Sequence, residues 1–166
     1  EYIMSCLSAA VISVSQGELD QIKSLKFSPA KRLQLIPNGV VIPEQPIEQA
    51  VNGPYSVIHI SRFDVQKNSE ALIPILKELS TRGRLTDFHF KLIGNGTEQK
   101  NIEDKIQQLG FSKHVTFYGF TPEPQKHFNK ALCFLSTSRW EGLPLAVLEA
   151  MSHGLVPVVT DVVGNR

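Results

Sequence analysis

Cysteine is scarce in this chain: two residues in 166, Cys6 and Cys133. Two thiols make no disulfide framework, and Cys133, inside an apolar run, reads as a small core residue. A reducing, cytoplasmic setting fits that usage. An excess of one charge is missing as well. The net charge is +1, with 17 Lys and Arg interspersed among 16 Asp and Glu. Nothing in that balance suggests a basic nucleic-acid groove or a polybasic membrane patch. No apolar run approaches the ~20 residues that span a bilayer. The stretch 3–14, IMSCLSAAVISV, is as apolar as a secretory signal core, but it lacks a basic leader and ends in a strand-like segment. It is read as part of the fold. The five histidines show no ligand spacing, so no metal is expected. No Gly-x-Ser-x-Gly or Cys/His nucleophile pattern occurs, and neither does an internal repeat.

What is present is an alternation. Apolar runs predict strands at 11–15, 33–36, 56–60, 88–93, 115–118, 132–136 and 156–160. Most are continuous rather than alternating, as expected of parallel strands covered on both faces. Between them, 3.6-residue periodicity and breakers predict helices at 17–25, 68–82, 97–109, 124–130 and 144–153. Pro74 falls inside the second of these and should kink it or delay its start. Strands alternating with helices imply an α/β, Rossmann-like, doubly wound parallel sheet, whose ligands bind at the carboxyl ends of the strands. The polar, breaker-rich stretch 43–54 reads as a linker.

Four loops therefore matter. After Ile60, Arg62 and Lys67 stand five residues apart just before a helix. That is a phosphate clamp, or else a solvated loop with ordinary surface cations. After Ile93, Gly94 and Gly96 let a ligand approach the backbone or merely make a tight turn. They are not the dinucleotide fingerprint, because Gln99 stands where its third glycine belongs. After Tyr118, Phe120 either rims a flat base or packs into the core. The fourth loop opens the stretch 140–154, WEGLPLAVLEAMSHG. Glu141 and Glu149 stand eight apart there, and Pro144 is expected at the first position of a helix that stops at Gly154. Glu149 should lie about two turns inside. The helix N-terminus suits a phosphate. Glu141 can equally be a capping charge and Glu149 a solvated helix residue. Paired carboxylates also occur in hydrolases.

Taken together, five stretches carry a family resemblance. They are Ile36-Pro37-Asn38-Gly39-Val40, Ser61-Arg62 with Lys67-Asn68, Leu92-Ile93-Gly94-Asn95-Gly96, Val115-Thr116-Phe117-Tyr118-Gly119-Phe120, and Glu141-Gly142-Leu143-Pro144 through Glu149-Ala150-Met151 with Gly154 and Pro157-Val158-Val159. In this order they resemble the retaining GT-B glycosyltransferases of family 4, the group 1 glycosyl transferases, whose E-x7-E motif the last stretch matches. The resemblance implies a nucleotide-sugar donor, a UDP- or GDP-sugar, with no other cofactor. Arg62 and Lys67 would hold the diphosphate, and Glu141 the hydroxyls of the transferred sugar. Glu149 would hold the ribose. Backbone groups at Leu143, Pro144 and Leu145 would serve sugar and phosphate oxygens, and Gly94 and Phe120 would line the base pocket. Transfer would proceed with retention, by front-face attack, in polysaccharide or glycoconjugate synthesis.

The same resemblance divides the chain. Residues 1–42 would be a remnant of the N-terminal acceptor domain, 43–54 the linker, and 55–166 a truncated nucleotide-sugar-binding domain. The glycan or lipid-linked acceptor would bind through the missing N-terminal part. Such a fragment is expected to bind nucleotide weakly and to transfer no sugar alone. The full protein is expected to be cytoplasmic, peripheral to the inner face of the membrane. Two positions depart from the family: Ser61 and Asn68 stand where glycines are usual, which leaves the shape of the phosphate loop open. The alternatives are a non-catalytic nucleotide-sugar-binding module on the same scaffold and, more remotely, a nicotinamide-dependent oxidoreductase.

Overall fold

A computed structural model describes residues 7–26, 30–44 and 53–166. Cys6 and most of the expected linker lie outside the described residues. Among the described residues there are two parallel sheets. The smaller pairs β1 (Val11–Ser13) with β2 (Leu33–Leu35), in register from Val11 opposite Leu33 to Ser13 opposite Leu35. Helix α1 (Gln16–Ser24) joins them. Ser15 ends β1 two residues early because it caps α1: its hydroxyl accepts from the Glu18 N–H. The Glu18 carboxylate reaches back to the Val14 N–H at 3.0 Å and the Ser13 hydroxyl at 2.8 Å. The arrangement is close to a capping box, with the carboxylate reaching the residue before the cap rather than the cap itself.

The larger sheet holds β3 (Tyr55–Ile60), β4 (Phe88–Ile93), β5 (Val115–Gly119), β6 (Ala131–Ser136) and β7 (Val156–Val159). Every pairing is parallel and the order is β5-β4-β3-β6-β7. The chain winds one way from β3 to β5, then returns to the other side of β3. That reversal places a crevice between the carboxyl ends of β3 and β6.

Both faces of the central strands are buried, each by its own apolar cluster. Helices α2 (Leu72–Thr81) and α3 (Gln99–Gln108) cover one face, where Leu72, Leu76, Ile102 and Ile106 pack with Val57, Phe90 and Leu92. Helix α4 (Leu145–Ser152) covers the other, where Val147 and Ala150 meet Ile58, Ile93, Phe128 and Phe134. The doubly wound α/β architecture is thus present.

Local differences have local causes. The helix expected at 68–82 begins as a 3₁₀ turn over Ser69–Ala71, and its α portion starts only at Leu72. Pro74 then falls at the third helical position, where no intrahelical N–H bond is lost. The helix expected at 124–130 is a single 3₁₀ turn, Pro124–His127. Pro122 and Pro124 leave too few residues for an α-helix before β6 begins. Pro144 is the cap of α4, with ψ of 107°, rather than its first helical residue. Gly154 follows the helix at φ +82°, as a C-terminal glycine should.

Candidate functional site

The crevice is built from four strand-end loops, and backbone contacts lock them in pairs. Behind β3, the loop 61–68 lies against the loop behind β4. Ser61 N–H donates to the Ile93 carbonyl, Phe63 N–H to Asn95, and Glu98 N–H to Phe63, all at 2.9–3.0 Å. Phe63 itself is fully buried, with its ring 6.3 Å from His59 and 6.0 Å from Phe117. It anchors the loop while its neighbour Arg62 stays exposed. The Asp64 carboxylate accepts from the Lys67 N–H at 2.9 Å and pairs with Arg62 at 3.2 Å. A second hydrogen bond holds Arg62 to the Gln66 side chain.

The same loop is stitched to the one behind β6. Arg139 N–H donates to the Gln66 carbonyl, the Gln66 side chain to the Trp140 carbonyl, and the Thr137 hydroxyl to the Lys67 carbonyl. Asn68 sits in the left-handed region at φ +50°, the conformation that a glycine would supply. Its side-chain amide offsets the strain by donating to the Thr137 carbonyl at 3.2 Å and accepting from Arg139 at 3.3 Å. Across this seam the Lys67 ammonium meets the Glu141 carboxylate at 2.7 Å, and the carboxylate side chain is only 7% exposed.

The result is a cleft of about 470 Å³ lined, among others, by Arg62, Lys67, Gly94, Phe120 and Glu149, a size that suits a nucleotide-like ligand. Five of the expected residues thus share one wall system, and Glu141 joins it through Lys67. Phe120 is 73% exposed, so it rims the cleft and does not pack into the core. Glu149 is the fifth residue of α4, little more than one turn in rather than two. Leu143, Pro144 and Leu145 form the approach to that helix, where the first N–H groups have no intrahelical acceptor. The Leu143 carbonyl accepts from the Asn38 side chain at 3.4 Å, so the segment after the small sheet reaches the edge of the site.

Sequence reasoning did not anticipate three groups. Asp64 and Thr137 organise the loops, and Asp three residues before Lys67 is a recognisable capping spacing. The third is His59, fully buried in β3. Burial pushes its pKa down to about 4, with the nearby Lys67 charge acting in the same direction. A groove of about 500 Å³ also opens between α2 and α3, lined by Glu70, Ile73, Lys77 and Lys105 among others. It meets neither Glu141 nor Glu149. Among the described residues no three His, Cys, Asp or Glu side chains are grouped to hold a metal, and no helix is long and apolar enough to cross a membrane.

Residues 41–166 match the family described as Glycosyl transferases group 1. A poly(glycerol-phosphate) alpha-glucosyltransferase of Bacillus subtilis is 33% identical over 122 residues, which is 70% of this chain and 18% of that protein. An Escherichia coli protein, UDP-Gal:alpha-D-GlcNAc-diphosphoundecaprenol alpha-1,3-galactosyltransferase, is 26% identical over 87% of this chain and 40% of its own length. A mutant of S. aureus TarM, crystallised with Fondaparinux, alpha-GlcNAc-glycerol and UDP, superposes with a TM-score of 0.82 at 25% identity. The match covers 93% of this chain and 30% of that one. The chain spans well under half the length of each of these proteins.

Proposed function

The chain belongs to the group 1 glycosyl transferases, and from that premise we propose that it is the donor-binding part of an enzyme that transfers a sugar from a UDP- or GDP-sugar with retention of configuration. One observation carries the reading. The cationic loop behind β3 and the acidic loop and helix behind β6 meet at the switch point, with Lys67 on Glu141 at 2.7 Å beside a cleft that Arg62 and Glu149 also line. Relatives named for UDP-galactose or crystallised with UDP support a nucleoside-diphosphate donor.

In this reading Arg62 and Lys67 hold the diphosphate and neutralise the charge that grows on it as the bond to the anomeric carbon breaks, where fixed cations act most strongly. Arg62 reaches the phosphates by exchanging Asp64 and Gln66 for phosphate oxygens. Glu141 accepts hydrogen bonds from the transferred sugar, Glu149 from the ribose, and the N–H groups of Leu143 and Leu145, on either side of Pro144, face sugar and phosphate oxygens. Gly94 and Phe120 border the base. The acceptor hydroxyl attacks the face the diphosphate leaves, and its proton passes to the departing phosphate oxygen. The chemistry asks for no resident cofactor, and no protein nucleophile. The acceptor, a glycan or a lipid-linked saccharide, meets the donor across the cleft, and the enzyme works at the cytoplasmic side in polysaccharide assembly.

A thermal-shift panel of UDP, GDP and their sugars on the full-length protein tests this. At about a hundredfold excess over Kd, the matching nucleotide should stabilise the fold by roughly 2.7 kcal/mol, a rise of about 3 °C in Tm for a protein on the order of 400 residues. Glu149→Ala should cut that nucleotide's affinity about tenfold, the worth of one charge-assisted hydrogen bond. Absence of any shift across the panel would contradict the reading.

A further inference from the structure

Two serines bracket the loop that carries Arg62 and Lys67. Ser61 precedes it and Ser69 follows it, and their hydroxyl oxygens lie 3.0 Å apart. Both lie 2.9 Å from the same atom, Nε2 of His59. On the other side of the ring, Nδ1 lies 2.9 Å from the Leu135 carbonyl of β6. A carbonyl only accepts, so Nδ1 carries the proton and Nε2 is left as an acceptor. One hydroxyl then donates to Nε2 and the other to its fellow hydroxyl. Burial keeps the ring neutral, and in that state these two bonds tie the three groups together. Ser69 and His59 are fully buried, so the Ser69–His59 contact is shielded from water, while Ser61 is partly buried at the cleft wall.

We infer that His59, acting through Ser61 and Ser69, is the positioning residue that pins both ends of the cationic loop and so sets the spacing of Arg62 and Lys67 in the cleft. The inference rests on the nucleotide-sugar reading for its function but not for its geometry. It also accounts for Ser61 in place of the usual glycine. Although Ser61 lines the cleft, its hydroxyl bonds within the protein, to His59 and Ser69. Without the hydroxyls the loop keeps its bonds to the neighbouring loops but loses the direct tie between its two ends, which loosens the spacing of the guanidinium and the ammonium. Preorganisation of this kind lowers the cost of ordering side chains on binding.

The test uses the full-length protein and the variants Ser61→Ala, Ser69→Ala and His59→Gln. Three measurements apply: amide exchange over residues 62–68, affinity for UDP and GDP, and ring nitrogen shifts of His59. Wild type should show Nδ1–H with an unprotonated Nε2 from pH 5 to pH 8. Ser61→Ala should speed exchange at Lys67 and Asn68 and weaken the bound nucleotide, each about tenfold, as the loss of one hydrogen bond would. The double variant Ser61→Ala/Ser69→Ala should lose less than the product of the single losses, because both act through one triangle. His59→Gln, which can still accept near the Nε2 position, should keep part of the affinity. Folded serine variants with unchanged loop exchange would overturn the inference. So would faster exchange with nucleotide affinity unchanged, or an Nε2–H tautomer in wild type. Should wild type bind no nucleoside diphosphate, the donor reading fails, while exchange and tautomer still decide whether the loop is pinned.

Discussion

Replacing Lys67 by methionine is expected to weaken nucleoside-diphosphate binding about a hundredfold, the loss of a charge-assisted contact of roughly 3 kcal/mol, and to destabilise the fold as well. Both effects come from one ammonium with two partners. In the free protein it neutralises Glu141, whose carboxylate is 7% exposed against 24% for Lys67. Removing the lysine strands the more buried charge, at a cost of about 2–4 kcal/mol. Glu141→Gln leaves an ammonium with partial access to water and should cost only about 1 kcal/mol, near the value of an exposed pair. The asymmetry is what distinguishes this pair from a surface ion pair, where either removal is nearly neutral. Urea denaturation of the two variants gives the stabilities, and calorimetric titration with UDP and GDP gives the affinities. Equal, small losses of stability would show that Glu141 reaches water when Lys67 is gone.

The largest loss of stability should come from Gly94→Ala and Gly96→Ala. A Cβ on Gly94 would lie 1.9 Å from the Ser61 carbonyl oxygen, at φ +125°. A Cβ on Gly96 would lie 2.4 Å from the Phe63 carbonyl oxygen and 2.6 Å from its nitrogen. No flexible side chain can yield in either case; the backbone of the cationic loop must move. That move breaks the Phe63–Asn95 and Glu98–Phe63 hydrogen bonds and pulls a fully buried phenylalanine from its socket. Each substitution should cost about 3–5 kcal/mol, lowering Tm by roughly 10 °C. Gly83→Ala is the control. It has φ +65° with nothing within 4 Å, so only the backbone term of about 1 kcal/mol applies. Thermal denaturation followed by circular dichroism separates the cases, and a Gly96→Ala protein as stable as the control would mean that the loops do not touch as described.

These positions also show what a sequence can and cannot reveal. The strands and most helices were legible because each depends on a local run: buried parallel strands are continuously apolar, and α3 carries Ile102 and Ile106 on one stripe. The four strand-end loops were legible for the same reason. The role of Gly94 and Gly96 was not. Alone they read as a turn or a ligand approach, whereas the backbone they admit belongs to residues 61 and 63, more than thirty positions away. Asn68 looked like a departure that put the loop in doubt. It occupies the left-handed conformation itself, stabilised by contacts to Thr137 and Arg139 that exist only once β6 lies beside β3. His59 carried no signal at all, because Leu135, Ser61 and Ser69 converge on it from a neighbouring strand, a loop and a helix start. The 124–130 helix failed for a local reason: two prolines and a short span make one 3₁₀ turn.

The most direct measurement is a crystal structure of the full-length protein with the nucleoside diphosphate selected by the stability panel. The diphosphate should lie within hydrogen-bonding distance of Arg62 and Lys67, the ribose hydroxyls on Glu149, and the base between Gly94 and Phe120. A diphosphate seated in the groove between α2 and α3, or anywhere that leaves Arg62 and Lys67 untouched, would contradict the placement of the donor at the β3–β6 switch.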